Sequence, residues 1–398
     1  DFQGNNPEIQ NAQQTIVGSD VSINADAIEA GDGGRVIVWA DNTTRYYGDI
    51  SAQGGAASGD GGFVEVSGKG YLDFNGGVSL GASNGTGGIL LLDPTDITVD
   101  GSGSAVLDNV DLFSDIDCTG CNINALLINT ALQSGASVML QATNDITVSA
   151  AIDGTGTSTA GGGLSLLAGH HITINNSISL NNGLLTLSAD HDFSAAGGNA
   201  SSGAGDLAIN ASLSSGGGSI ALQGDEFKLD AGKTISAGTG AVSITTAQAG
   251  DAIEVGKVSD NGNTDMDLSD AELGLISAGT LTIGDASHTG TISVVGDVTL
   301  NNVAAGFINP NLNVVNTGSN ADISVDGVIT SASGKAITLT AADNISFTVN
   351  GSISAPGTGK VTIRANSDAQ LGDGVGGNGA NSISINGAAV IDGDTGDI

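Results

Sequence analysis

The chain has 398 residues, 64 of them glycine, with four prolines, eight Phe, three Tyr and one Trp, and its 43 acidic and nine basic residues leave a formal net charge of −34. Nine Lys and Arg cannot neutralise a phosphate track, so nucleic acid is excluded as a main partner, and collagen is excluded by the missing Gly-X-Y period and the scarcity of proline. A mean hydropathy of +0.15, with Val, Ile and Leu recurring throughout, argues against disorder, and no run of about 18 apolar residues is present to span a bilayer.

Taken from the N-terminus, the first elements are turns that open into strands. Asp32 to Asp41 reads DGGRVIVWAD, Gly59 to Ser67 reads GDGGFVEVS, and Gly87 to Pro94 reads GGILLLDP. The recurring Gly-Gly opening predicts a corner at which Gly33, Gly34, Gly61, Gly62, Gly87 and Gly88 supply positive φ. Residues 123–134 form the one helical pattern, with Leu126, Leu127, Thr130 and Ala131 on one side and Gly135 as the C-terminal stop.

After residue 136 alternating apolar triplets dominate, each the mark of a strand with one buried face. Val138-Met139-Leu140 is followed by Ile146-Thr147-Val148, Leu164-Ser165-Leu166 by Ile172-Thr173-Ile174, Leu185-Thr186-Leu187 by Phe193, and Ile337-Thr338-Leu339 by Ile345-Ser346-Phe347. Further triplets stand at 220–222, 242–244, 281–283, 361–363 and 383–385. Those that begin at positions 138, 164 and 185, at 220 and 242, and at 337 and 361 follow one another at a nearly constant interval. Short strands at a period of about 22 residues, separated by Gly, Asn, Asp and Ser, describe an all-β solenoid. The fold expected is a right-handed parallel β-helix, with a β-sandwich array or propeller as the alternatives. About 18 coils at about 4.8 Å each would make a rod roughly 85 Å long. The expected organisation is a Gly-rich module over 1–100, a loop with a CxxC and the short helix over 101–136, and coils over 137–398. Aligned triplets bring Asn144-Asp145, His170-His171, His191-Asp192 and Asp343-Asn344 to one corner, where Asn and Asp bond their own turn.

The runs GDGGRVIVWADNTTRYYGDISAQGG (31–55), SGDGGFVEVSGKGYLDFNG (58–76) and NGTGGILLLDPTDITV (84–99), with the preceding residues 1–18, resemble the filamentous-haemagglutinin-like exoproteins of bacterial two-partner secretion. The resemblance is specific over about a quarter of the chain. It implies a β-helical adhesin exported through a dedicated outer-membrane transporter and displayed on, or shed from, a Gram-negative cell. The family's secretion domain has no counterpart here, which implies an internal stretch or processed portion of a longer protein. Partners implied are the transporter and ligands on host, matrix or neighbouring-cell surfaces. Assembly into a homo-oligomer, filament or sheath is the competing structural reading.

Candidate sites are few. Cys118 and Cys121 are the only cysteines; a secreted origin favours a disulfide between them, and a redox dithiol is the alternative. His170 aligned beneath His191, with Asp190 or Asp192, is conceivable as a metal site, though turn residues without chemistry are the simpler reading. Asp145 and Asp192 at the corner, and Asp392, Asp394 and Asp397 in the tail, are candidates for calcium, which takes six to eight oxygen ligands; the alternative is a solvated acidic face. A polysaccharide-active enzyme needs a base beside clustered acids, whereas Arg35, Arg45, Lys69, Lys228, Lys233, Lys257, Lys335, Lys360 and Arg364 are scattered along the chain. The sequence therefore points away from catalysis. Thr280-Leu-Thr282 and Thr338-Leu-Thr340 fit an ice-binding pattern but stand too far apart in sequence to be expected in one ladder.

Overall fold

A computed structural model describes residues 2–101, 122–156, 161–193, 205–257, 265–365, 383–385 and 391–392. The described chain forms two compact units, Asp1–Ser202 with Asn210–Gly218, and Gly203–Ile209 with Ser219–Ile398. Each is a parallel β-helix, its strands paired in parallel with those of the coils above and below.

In unit 1 a coil contributes three short strands. Arg35–Ala40, Thr43–Tyr46 and Asp49–Ser51 stack in register on Phe63–Gly68, Tyr71–Phe74 and Gly77–Ser79. Side chains alternate across the strand wall, so Leu164, Leu166 and Ala168 are buried while Ser165 and Leu167 are not. The inner face stacks like on like: Val138, Leu164 and Leu185 form one file, and Leu140, Leu166 and Leu187 the next. The interior also takes aromatics. Tyr46 and Phe74 are paired positions whose rings stack 5.3 Å apart at 16°, and the Tyr46 hydroxyl donates to the Gly77 carbonyl at 2.6 Å.

Coil length varies. Val36 pairs with Val64, Val138 with Leu164, Leu164 with Leu185 and Ile220 with Val242, and these coils are of broadly similar size. Longer coils carry insertions. The coil between Leu90 and its partner Val138 is such a case; it includes a short strand, Ile123–Asn124, between Tyr71–Phe74 and Ile97–Asp100. The helix α1, Ala125–Gln133, follows. It forms where expected: Asn124 caps it by accepting from the Leu126 N–H at 2.9 Å, and Gly135 leaves it at φ 90. Its packed face differs from the sequence reading. Ala125, Ile128, Ala131 and Leu132 are buried, whereas Leu126 is 65% exposed and Thr130 also faces solvent. The reason is that α1 occupies a wall position beside Ile152–Gly154, and Gly154 lies close under Leu132. That side of the helix, set by the stack, outranks its more leucine-rich side.

In unit 2 the inner files are Ile220, Val242, Leu281, Leu312, Ile337 and Val361 on one sheet, and Ile253, Ile292, Ile323 and Ile345 on another; Ile383 pairs with Ile345 but is exposed. The coil between Val242 and its partner Leu281 is again long. It holds Met266–Leu268, which pairs with Ile253–Val255, and α2, Asp270–Leu273.

Candidate functional site

The corner glycines are held by close approach, not by backbone sign. Positive φ falls at Gly31 (114) and Gly59 (124), the residue before each Asp, and not at Gly33, Gly34, Gly61, Gly62, Gly87 or Gly88. A Cβ on Gly33 would stand 2.1 Å from the Ala52 carbonyl oxygen, one on Gly61 2.0 Å from that of Leu80, and one on Gly87 2.1 Å from that of Gly135. The second glycines are as tight: a Cβ at Gly62 or Gly88 would meet the carbonyl oxygen of Gly34 or Gly62 at 2.1 Å, and Gly34 is hemmed by Ala25 at 2.9 Å. Neighbouring coils touch backbone to backbone here, and a side chain would wedge them apart.

The corner acids also act between coils. Asp32 Oδ1 accepts from the Asp60 N–H at 2.8 Å, and Asp60 Oδ1 accepts from the Thr86 N–H at 2.7 Å; the latter bond holds the Asp60 carboxyl below its usual range. Asp96 Oδ1 accepts from Asn144 Nδ2 at 2.6 Å, Asp145 Oδ1 from the His171 N–H at 3.0 Å, and Asp322 Oδ1 from the Asn344 N–H at 2.8 Å. The expected Asn/Asp corner thus bonds up the stack more than it bonds its own turn. Sequence reading missed Asp32 and Asp60 in this role, although the repeated Asp-Gly-Gly carried the signal.

Asp145 also meets His170 Nδ1 at 3.0 Å, so its carboxylate is committed to the corner. His191 turns elsewhere: its Nδ1 faces Ser188 Oγ at 3.0 Å and its ring packs on Phe193 at 4.8 Å. Among the described residues no three His, Cys, Asp or Glu side chains gather in a way that could hold a metal ion. Cys118, Cys121, Asp394 and Asp397 lie outside the described residues, as does the side chain of Asp392.

A cleft of about 600 Å³ opens in unit 2 between Glu226–Leu229 on one side and Lys257, Asp267, Ser269, Glu272 and Leu275 on the other. Glu272 anchors it. Its Oε1 accepts from the Leu229 N–H at 3.0 Å, and its Oε2 accepts from the N–H and hydroxyl of Ser269 at 3.0 and 2.7 Å, closing a capping box on α2. Lys257 pairs with Glu254 and lies 3.7 Å from Asp267. The basic residues that look scattered in sequence therefore include one set between acids. These contacts join Lys257 to Ile253–Val255 through Glu254 and to Met266–Leu268 through Asp267.

The outward faces of unit 2 are more regular. Ser243, Thr282, Asn313, Thr338 and Thr362 occupy consecutive rungs of one sheet. Ser293, Ser324, Ser346 and Ser384 do so on a second, with Ser324 Oγ donating to Ser293 Oγ at 3.0 Å. Thr299, Thr330 and Ser354 line a third. Thr282 and Thr338, distant in sequence, stand only two rungs apart, because Asn313 supplies the rung between them. No protein-family model matches the sequence, and no curated protein is significantly similar to it.

Proposed function

We propose that this chain is a length of secreted, cell-surface stalk of the filamentous-haemagglutinin-like kind, made to adhere rather than to catalyse. Three in-register ladders of small hydroxyl and amide side chains in unit 2 carry the reading. Each rung offers a small polar group, a hydroxyl or at Asn313 an amide, at a spacing of about 4.8 Å, so a surface with many weak polar sites is met many times at once, and avidity accrues without a deep pocket. The acidic surface keeps such a chain soluble and unattached to its own kind. Export through an outer-membrane two-partner-secretion transporter and contact with host, matrix or neighbouring-cell surfaces follow from the resemblance of residues 1–100 to that family.

The test is attachment of beads coated with the purified chain to matrix and to cell layers, beside electron microscopy of the same protein. Replacing Thr282, Thr338 and Thr362 with Val keeps the strand shape and removes three hydroxyls of one ladder. Attachment that falls with these changes supports adhesion through the ladder. Regular polymers of the chain alone, with no bead attachment, would make it a filament or sheath subunit. Release of unsaturated products from an acidic polysaccharide, read by ultraviolet absorbance, would make it an enzyme.

A further inference from the structure

The segment Phe2–Gly4 lies across an outward face of unit 1 that is unlike the hydroxyl ladders. Successive rungs there place Arg35, Phe63 and Ile89 in one file and Ile37, Glu65 and Leu91 in the next. Glu65, in an outward position, is nevertheless fully buried. The backbone N–H of Gln3 donates to both its carboxylate oxygens, at 3.1 and 3.3 Å. Gln3 Nε2 donates to Asp93 Oδ2 and Gln141 Oε1, each at 3.4 Å.

Apolar contacts complete the seat. Phe2 meets Phe63 edge-on with ring centres 5.7 Å apart, and the Arg35 guanidinium lies 4.5 Å from the first ring and 4.9 Å from the second. Gly4 sits at φ +62 against Trp39, where a Cβ would come within 2.8 Å of three indole atoms. Gln3 has φ 51, a left-handed conformation that costs a non-glycine residue free energy, so the segment holds this shape only while its contacts hold it.

We propose that Phe2–Gly4 is a proton-operated strap, seated while Glu65 or Asp93 carries a proton and lifted when both are ionised, baring the file of Ile37, Glu65 and Leu91. By the contacts they make, the charged groups facing the strap among the described residues are Glu65, Asp93, Arg35 and Asp41, the last accepting from Trp39 Nε1 at 3.1 Å. Burial pushes the Glu65 carboxyl up to about 7; the Gln3 N–H opposes the rise and Asp93 adds to it. Burial pushes Asp93 up to about 6, against the Gln3 side-chain bond. A raised carboxyl favours the seated, protonated state at low pH. That preference fades as pH climbs from the ordinary carboxylate range through these values. Ionised beneath the strap, Glu65 has the Gln3 N–H in place of water and a second carboxylate, Asp93, on the same Gln3 side chain; opening returns water to it.

Trp39 is the single tryptophan and touches the strap, so its emission reports the seat directly. Emission and peptide-level hydrogen exchange over residues 2–4 are followed from about pH 5 to about pH 9 in the protein, E65Q and G4A, with far-UV circular dichroism as the fold control. The protein is expected to shift to the red and exchange at least about tenfold faster than E65Q at the same high pH. E65Q, neutral throughout, should remain seated, and G4A, which cannot close on Trp39, should show the open signal at every pH. Flat Trp39 emission in the wild-type chain would overturn the strap. So would an E65Q midpoint equal to the wild-type one, or a G4A signal matching the wild-type chain at about pH 5.

Discussion

His288 is buried in unit 2, with ring Nδ1 facing Thr246 Oγ1 at 3.2 Å and its backbone N–H donating to Asp285 Oδ1 at 2.8 Å. Burial holds its pKa below 6.5, against the pull of Asp285. The neutral ring is favoured in the fold, so its contribution is complete above about 6.5 and is lost as pH falls from there towards the lowered value. Melting temperature should therefore drop more between about pH 7.5 and about pH 5.5 in the wild-type chain than in His288→Gln, and equal drops would remove the group from the account. The corner glycines make a second single-residue prediction. Gly61→Ala forces a methyl against the Leu80 carbonyl and the Gly88 N–H, 2.0 and 2.3 Å away, and should cost at least about 2 kcal/mol. Gly81→Ala, whose nearest neighbour is the Ser134 oxygen at 3.6 Å, should cost less than about 1 kcal/mol. Denaturant unfolding compares the two. That these glycines matter is legible in the repeated Gly-Gly; why they matter is not, since the atoms they avoid belong to neighbouring coils that are distant in sequence.

Helix α1 shows how an element's existence and its facing separate. Its existence follows from local chemistry: an Asn that caps, an apolar run in which only Ile128 and Thr130 are β-branched, and a glycine that stops it. Its facing is decided by the coils above and below, which take Ile128 and Leu132 and leave Leu126 to water. Leu132→Ala should accordingly cost about 2–5 kcal/mol by leaving a cavity, while Leu126→Ala should change stability by less than about 0.5 kcal/mol. Equal effects in thermal unfolding would contradict the packed face. The strands behave differently. An alternating triplet such as Ile337-Thr338-Leu339 states both its structure and its buried side, because period two admits only two faces and one is apolar. What the triplet does not state is its partner. The rung Leu312-Asn313-Val314 carries Asn where its neighbours carry Thr, and the inserted segments make its spacing irregular, so the hydroxyl ladder emerges only once the coils are stacked.

The sequence carries 43 acids against nine bases, and acids occupy paired rungs at Asp206 with Glu226 and at Glu254 with Asp267. Self-repulsion of this kind is screened by salt. Raising salt from about 0.02 M to about 0.5 M, which shortens the screening length from roughly 20 Å to roughly 4 Å, should raise the melting temperature; a fall would mean that ion pairs such as Lys257 with Glu254 and Asp267 outweigh the repulsion. Residue alternation, glycine-rich turns and the poverty of aromatics pointed by themselves to a parallel solenoid of similar small layers, and the in-register parallel pairing bears this out over a sandwich or propeller. Tertiary structure decided what depends on meeting across coils. It settled which side of α1 is buried, why the corner glycines bear no side chain, how Lys257 comes to lie between acids, and that Glu65 is sealed beneath Gln3. Each of these joins residues brought together by the pitch of the stack and by inserted loops of unequal length, and neither quantity is written in the local pattern of any one strand.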